Sequence, residues 1–233
     1  MVEGMRARTL VLFVAVLTAA SSNVLGRQAR HPVSGRVIAP TMSVQGAAWL
    51  DRPEREAEEA PSIAVRALQL RRGMVVADVG AGSGYYTVRL ARAVGREGRV
   101  VATDLQPGML DLIKRKVERE RLENVTLVQG ASDDPRLPDA TFDRILLVDV
   151  YHELAEPQAF VRRLKAALKP EGRLVLIEFR LEDPTVPIVE VHKMSVAQVR
   201  QELAADGFRI ARVSDVLPWQ HIIELEPVPA GTR

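Results

Sequence analysis

From Met74 onward, short apolar runs alternate with amphipathic segments, and that alternation leaves few folds open. MVVADVG reads as a buried strand, YYTVRLARAV as a helix with apolar residues three and four apart, and GRVVATD as a second strand. A proline-started helix, PGMLDLIKRKVERERL, follows, and then the strands NVTLVQG and FDRILLVDV. PQAFVRRLKAALKPEG reads as a helix that stops at Pro170–Gly172, and RLVLIEF as the next strand. SVAQVRQELAADG is a helix capped by Ser195 and closed by Gly207, and FRIARVSDV and WQHIIELEP are two final strands. Strands joined by helices of this length require right-handed crossovers, which predicts an α/β fold with a mainly parallel, doubly wound sheet and helices on both faces. Ligands of such sheets bind outside the carboxyl ends of the strands.

The chain upstream of this pattern divides in three. In residues 1–26, Arg6 and Arg8 precede an uncharged, mostly apolar stretch from Leu10 to Ala20, and Val24 and Gly26 sit where a cleavage site before Arg27 needs small residues. An apolar core of about 11 residues fits an export signal and is short for a membrane span of ~20. The expectation is a signal peptide and an exported, periplasmic or extracellular protein; the alternative is an uncleaved inner-membrane tether through residues 6–26. Residues 27–45 are polar, with scattered Pro and Gly and no period, and read as a flexible tether. Residues 46–233 form one domain that opens with a helical segment: a short helix in GAAWLDRPEREAEEA, then a second after Pro61 with Ser62 as its cap. Trp49, Arg52 and Glu56 either close over a ligand or lie on a solvated helix that packs Trp49 and Leu50 on the domain.

Composition excludes several chemistries. The 233 residues contain no cysteine, which removes disulfides, thiolate metal sites and thiol nucleophiles together. The 32 basic and 30 acidic residues nearly balance, and no Lys/Arg run is interleaved with aromatics, so nucleic acid is not an expected partner.

Gly80, Gly82 and Gly84 occupy the turn from the first strand to its helix, where glycine allows a ligand to approach the backbone closely. A dinucleotide fingerprint needs its third glycine three positions after the second; that place holds Tyr85, which disfavours a nicotinamide oxidoreductase. The Gly-Lys-Ser/Thr ending of a phosphate-gripping loop is also missing. The second strand ends in Asp104, placed to accept both hydroxyls of a free ribose, and Asp133 and Asp134 follow the third strand, within reach of an adenine edge.

With VADVGAGSG, VVATD, QGASDD, FDRILLVDVYHE and LKPEGRLVLIEF in this order, residues 61–227 resemble the class I S-adenosylmethionine-dependent methyltransferases. The resemblance implies a Rossmann-like sheet of seven strands, the last antiparallel and inserted between the fifth and sixth. It implies S-adenosyl-L-methionine as cofactor, held at its methionine part by Asp78, Gly80, Gly82 and Gly84, at its ribose by Asp104, and at its adenine by Asp133 beside Ala131 and Ser132. Asp149 joins the cofactor-binding set. The short chain favours a small-molecule acceptor.

Three of the four histidines fall late: His152, His192 and His221. The expected topology brings each to the carboxyl rim of the sheet, with Glu153 and Glu178. Converging imidazoles there serve as general base or substrate ligands, as ligands of zinc or ferrous iron, or as a hydrogen-bonded rim without chemistry. The leading expectation is therefore a small-molecule methyltransferase. An exported metal- or ligand-binding protein on the same scaffold is the alternative, because S-adenosylmethionine is made in the cytoplasm.

Overall fold

The computed structural model describes residues 28–229; the stretch expected to be an export signal or, alternatively, a membrane tether through residues 6–26 lies outside them. Eight strands form one sheet: β1 (Val75–Val79), β2 (Arg99–Asp104), β3 (Val125–Gln129), β4 (Phe142–Val148), β5 (Leu168–Arg180), the two-residue β6 (Lys193–Met194), β7 (Phe208–Ser214) and β8 (Gln220–Pro227). Their order is β3-β2-β1-β4-β5-β8-β7, with β6 paired to the end of β5. β8 runs antiparallel to both β5 and β7, and the remaining pairings are parallel. This is the expected seven-strand sheet with its last strand inserted; β6 is a short addition.

The helices are α1 (Ala47–Leu50), α2 (Arg55–Glu59), α3 (Pro61–Ala67), α4 (Tyr85–Val94), α5 (Pro107–Arg119), α6 (Pro157–Ala167) and α7 (Val196–Ala205). Side chains alternate across a strand, so β5 feeds two cores. Leu174 and Leu176 pack with Leu164 of α6 and Leu203 of α7, whereas Val175 and Ile177 pack with Leu90 of α4 and Ala64 of α3. A sheet covered on both faces explains why these strands read as continuous apolar runs.

Four local expectations change. α6 ends at Ala167, because Leu168 already pairs with Phe142 and β5 begins there; the register then shifts before Arg144 pairs with Arg173, at the irregular stretch that holds Pro170. Proline has no N–H for a ladder and is tolerated at such a break. Ser62 is not a cap: Ala60, in a left-handed conformation, precedes Pro61 at the first turn of α3. The region expected as one short helix instead holds α1 and α2 as separate turns.

The largest change is in residues 28–45, which pack as a strap. Arg30 bridges to Val37, His31, Ile38 and Ala39 are buried, and Arg36 donates to both oxygens of Glu202 on α7 at 3.1 and 3.2 Å. Further along, the Ala39 N–H and the Arg36 guanidinium both donate to the His152 carbonyl, at 3.1 and 3.0 Å. A segment pinned by single polar contacts shows no hydrophobic period, so its sequence resembles a linker. Among the described residues no helix is long and apolar enough to cross a membrane.

Candidate active site

One cavity of about 390 Å³ opens at the carboxyl ends of β1, β2, β4 and β5. At one end the loop after β1 turns beneath it. The N–H groups of Gly80 and Ala81 donate to the Thr103 carbonyl at 2.8 and 3.1 Å, which ties the loop to β2. Gly80 and Gly82 both have positive φ, 66° and 54°, and side chains on either would collide with Val150 or Leu50. Their bare backbone therefore forms part of the cavity wall. Gly84, by contrast, precedes α4 and packs against Ile113, away from the cavity lining.

Asp104 lines the cavity and is fixed by two backbone donors, Gly82 N–H to Oδ2 and Gln106 N–H to Oδ1, both at 2.9 Å. Burial raises its carboxyl pKa. Asp149 sits at the end of β4 with φ 55°; Gln220 Nε2 donates to its Oδ2 at 2.7 Å, and its buried Oδ1 has no hydrogen-bond partner. Burial, reinforced by Glu59 and Glu178, pushes the Asp149 carboxyl well above the ordinary range. A buried carboxylate oxygen without a partner on a cavity wall is what a cationic ligand group would satisfy. Asp133 stands elsewhere: it is exposed and outside the lining, which Ala131 and Ser132 join instead.

Asp78 lies beneath the loop, 2 % exposed and outside the lining, and accepts the Thr87 hydroxyl at 2.5 Å. Burial is the main cause that raises its carboxyl to about 6, against the Thr87 hydrogen bond. A carboxyl with a folded-state pKa above its unfolded value holds more protons when folded, so its contribution to stability falls as pH rises from 3.8 towards 6. Asp78→Asn carries no charge at any pH. It is expected to stabilise the protein relative to wild type by about 1–3 kcal/mol at pH 8, with the gain fading towards pH 4. Urea denaturation of both proteins at the two pH values measures this; an equal difference at both would contradict it.

The other end of the cavity carries His152, Glu153 and His192. His152 and Glu153 sit in a short turn after β4, and His192 in the turn before β6. Glu178, fully buried on β5, accepts His152 Nδ1 at 2.6 Å and the Tyr151 N–H at 2.9 Å. His152 Nε2 then meets His192 Nδ1 at 3.0 Å, the rings edge to face. Burial raises the Glu153 carboxyl to about 7, and burial with the neighbouring His152 lowers His192.

His221 corrects the expectation of three converging imidazoles. Its Cα pairs with that of Glu178 across the β5–β8 ladder, but its ring is held between Asp215 at 2.7 Å and Glu182 at 3.0 Å and does not line the cavity. Two carboxylates saturate both ring nitrogens, so it joins neither of the other histidines.

The segment that leads into α2, with the first residue of that helix, closes the cavity, because Thr41, Met42, Trp49, Leu50 and Arg55 all line it. The Arg52 guanidinium stacks 3.7 Å over the Trp49 ring and its head pairs with Glu59 at 2.6 Å, while Glu56 is exposed and takes no part. Met42, Arg55 and Gln220 are site residues that sequence reasoning did not find. Gln220, next to His221 on β8, was within reach of the same topological argument.

The fold and this site define a class: an α/β protein with a glycine loop after β1, an acid at the end of β2 and a covered cavity above them. Comparisons with known proteins agree. The family described as "Methyltransferase domain" matches residues 76–172. A solved structure of a SAM-dependent methyltransferase from Aquifex aeolicus superposes with a TM-score of 0.76 at 30% identity, covering 81% of this chain and 100% of that one. The chain therefore belongs to the class I S-adenosylmethionine-dependent methyltransferases. The ubiquinone/menaquinone biosynthesis C-methyltransferase UbiE of Escherichia fergusonii is 34% identical over 122 residues, 52% of this chain and 47% of that protein. The chain thus spans about half the length of the curated relatives it matches. An O-methyltransferase from neocarzinostatin biosynthesis, solved with S-adenosylmethionine and 2-hydroxy-5-methyl naphthoic acid, shares the fold with a TM-score of 0.57 at 22% identity, covering 66% of this chain and 49% of that one.

Proposed function

We propose that the protein transfers a methyl group from S-adenosylmethionine to a small, largely apolar acceptor, and that His152, Glu153 and His192 face the reacting atom of that acceptor. The observation that carries this reading is that one cavity holds both ends of the chemistry. Asp104 and the Gly80–Gly82 backbone fit a ribose and the chain attached to it, and the unpartnered Oδ1 of Asp149 fits an ammonium. Cofactor roles for Asp78 and Gly84 are then indirect, through the loop they support, and Asp133 is left without one. S-adenosylmethionine supplies an electrophilic methyl group on sulfur.

The protein's residues position, cover and deprotonate. The methyl–sulfur bond breaks as the bond to the acceptor forms, and the acceptor loses a proton. Glu178 fixes the proton of His152 on Nδ1, which leaves the Nε2 lone pair directed at His192 and the acceptor end. Leu154, Phe160, Phe179, Ile188 and Val189 give the cavity apolar walls, and Met42 and Trp49 join its lining from the N-terminal segment, which limits water. A cavity of this size suits a small molecule. A relative named as a ubiquinone/menaquinone biosynthesis C-methyltransferase supports a small-molecule acceptor, and a fold neighbour solved with a hydroxynaphthoic acid is consistent with a flat ring bearing a hydroxyl. The leader in residues 1–26 supports an exported location, with a membrane tether through residues 6–26 as its other form.

Methyl-labelled S-adenosylmethionine, incubated with the protein and an extract of its host, tests the acceptor class. Label is expected in the small-molecule fraction, and His152→Ala is expected to reduce it by about 10²–10⁴-fold. Label confined to protein or nucleic acid would overturn the reading.

A further inference from the structure

We propose that His152 Nε2, His192 Nδ1 and Glu153 Oε1 form a three-ligand site for a divalent cation of the zinc or ferrous type, at the acceptor end of the cavity. The metal's role in catalysis rests on reading this cavity as a methyl-transfer site; its binding does not. The three atoms lie 3.0, 3.8 and 3.9 Å from one another. The circumcentre of that triangle is about 2.1 Å from each corner, the distance at which zinc binds imidazole nitrogen and carboxylate oxygen. The two longer separations exceed hydrogen-bond reach, yet they suit atoms that share one cation. A proton between the two imidazoles would explain the shortest separation alone and give Glu153 no part.

The support behind the ligands points the same way. Glu178 is fully buried and accepts Nδ1 of His152, so the Nε2 lone pair is free for a cation; a carboxylate behind a ligating histidine fixes ring and tautomer in this manner. The His152 backbone is fixed as well, since its carbonyl accepts from Ala39 and Arg36 of the strap. Two nitrogens and one oxygen favour zinc or ferrous iron over magnesium or calcium, which prefer oxygen throughout. His221, which the sequence placed in such a set, is replaced by Glu153.

All three side chains line the cavity, so a fourth position opens towards the acceptor. With a cation bound, the His152 Nε2 lone pair would serve as a ligand and not as a base; an acceptor hydroxyl in the open position would displace water and lose its proton to solvent at neutral pH instead, which readies its oxygen for the methyl group. The acceptor class is thus a molecule with a hydroxyl able to coordinate a metal.

Titration of the metal-stripped full chain with cobalt(II), followed by its visible absorption and by zinc competition, tests the site. One equivalent is expected to bind. His192→Ala is expected to weaken binding at least 100-fold, and Glu178→Gln by about 10–100-fold, while His221→Gln leaves it unchanged. Retained S-adenosylhomocysteine binding shows that each variant is folded and keeps failure of the metal site separate from failure of the cofactor site. Wild-type protein that binds S-adenosylhomocysteine but no cobalt, or cobalt uptake that His192→Ala does not alter, would overturn the proposal.

Discussion

Glu202→Ala is expected to lower stability by about 3–5 kcal/mol, because it strips a buried cluster of its one anion. Glu202 is fully buried on α7, where it accepts two hydrogen bonds from Arg36 and one from the Ser34 hydroxyl and lies 3.4 Å from His31. Without it the Arg36 guanidinium, whose side chain is 8% exposed, is left nearly dry and unpaired from that residue. The effect reaches the cavity, since the strap holds the His152 carbonyl and continues into the Thr41 and Met42 wall. Urea denaturation reads the loss, and limited trypsin digestion reads its place: cleavage after Arg30 and Arg36 should become fast in the variant. Ser34→Ala removes the hydroxyl that donates to Glu202 and accepts from the Arg36 N–H but keeps the charge pair, so it gives a milder shift in the same direction if Glu202→Ala does not fold. Unchanged stability and an unchanged digest would show that the strap is held some other way.

Gly80→Val is expected to weaken S-adenosylhomocysteine binding by more than 100-fold. Gly80 has φ 66°, where a β-branched residue is strained by ~1–3 kcal/mol, and a Cβ there would lie 2.6 Å from Val150 Cγ2. Relief requires movement of the loop over the cofactor end or of Val150, two residues before His152. Either movement spoils the cavity, and overpacking adds ~1–3 kcal/mol. Gly73→Ala is the matched control: its φ of 84° imposes comparable strain, but a Cβ meets nothing within 4 Å and the site is remote from the cavity. That variant should lose stability and keep its ligand affinity. Equal loss of affinity in both would mean that strain alone, rather than contact with the ligand wall, accounts for the result.

What the sequence revealed follows from what writes a periodic signal. The inner strands of this sheet are buried on both faces and flanked by amphipathic helices, so β1, β2 and β4 appear as apolar runs and α4 and α5 as apolar stripes. Their order then placed Asp104, Asp149, His152 and His192 on one rim. Placement on a rim does not settle which way a side chain is held. His221 is drawn aside by Asp215 and Glu182, and Asp133 turns to solvent while Asp134 caps the turn through the Arg136 N–H. The strap was illegible for a related reason: its buried apolar residues are only Ile38 and Ala39, and the polar groups that pin it, Ser34 and Arg36, find their partner on α7 more than 160 positions away. Gln220 lies in the same class, recognisable only once β8 is aligned with β5 and Asp149.

Calorimetric titration of the full chain with S-adenosylhomocysteine tests the central claim most directly. Wild-type protein is expected to bind one equivalent with micromolar or tighter affinity. Asp104→Ala, checked for folding by thermal denaturation, should bind more weakly by about 1.5–3 kcal/mol, the worth of hydrogen bonds to a charged group. A folded wild-type protein that binds no S-adenosylhomocysteine would contradict the account.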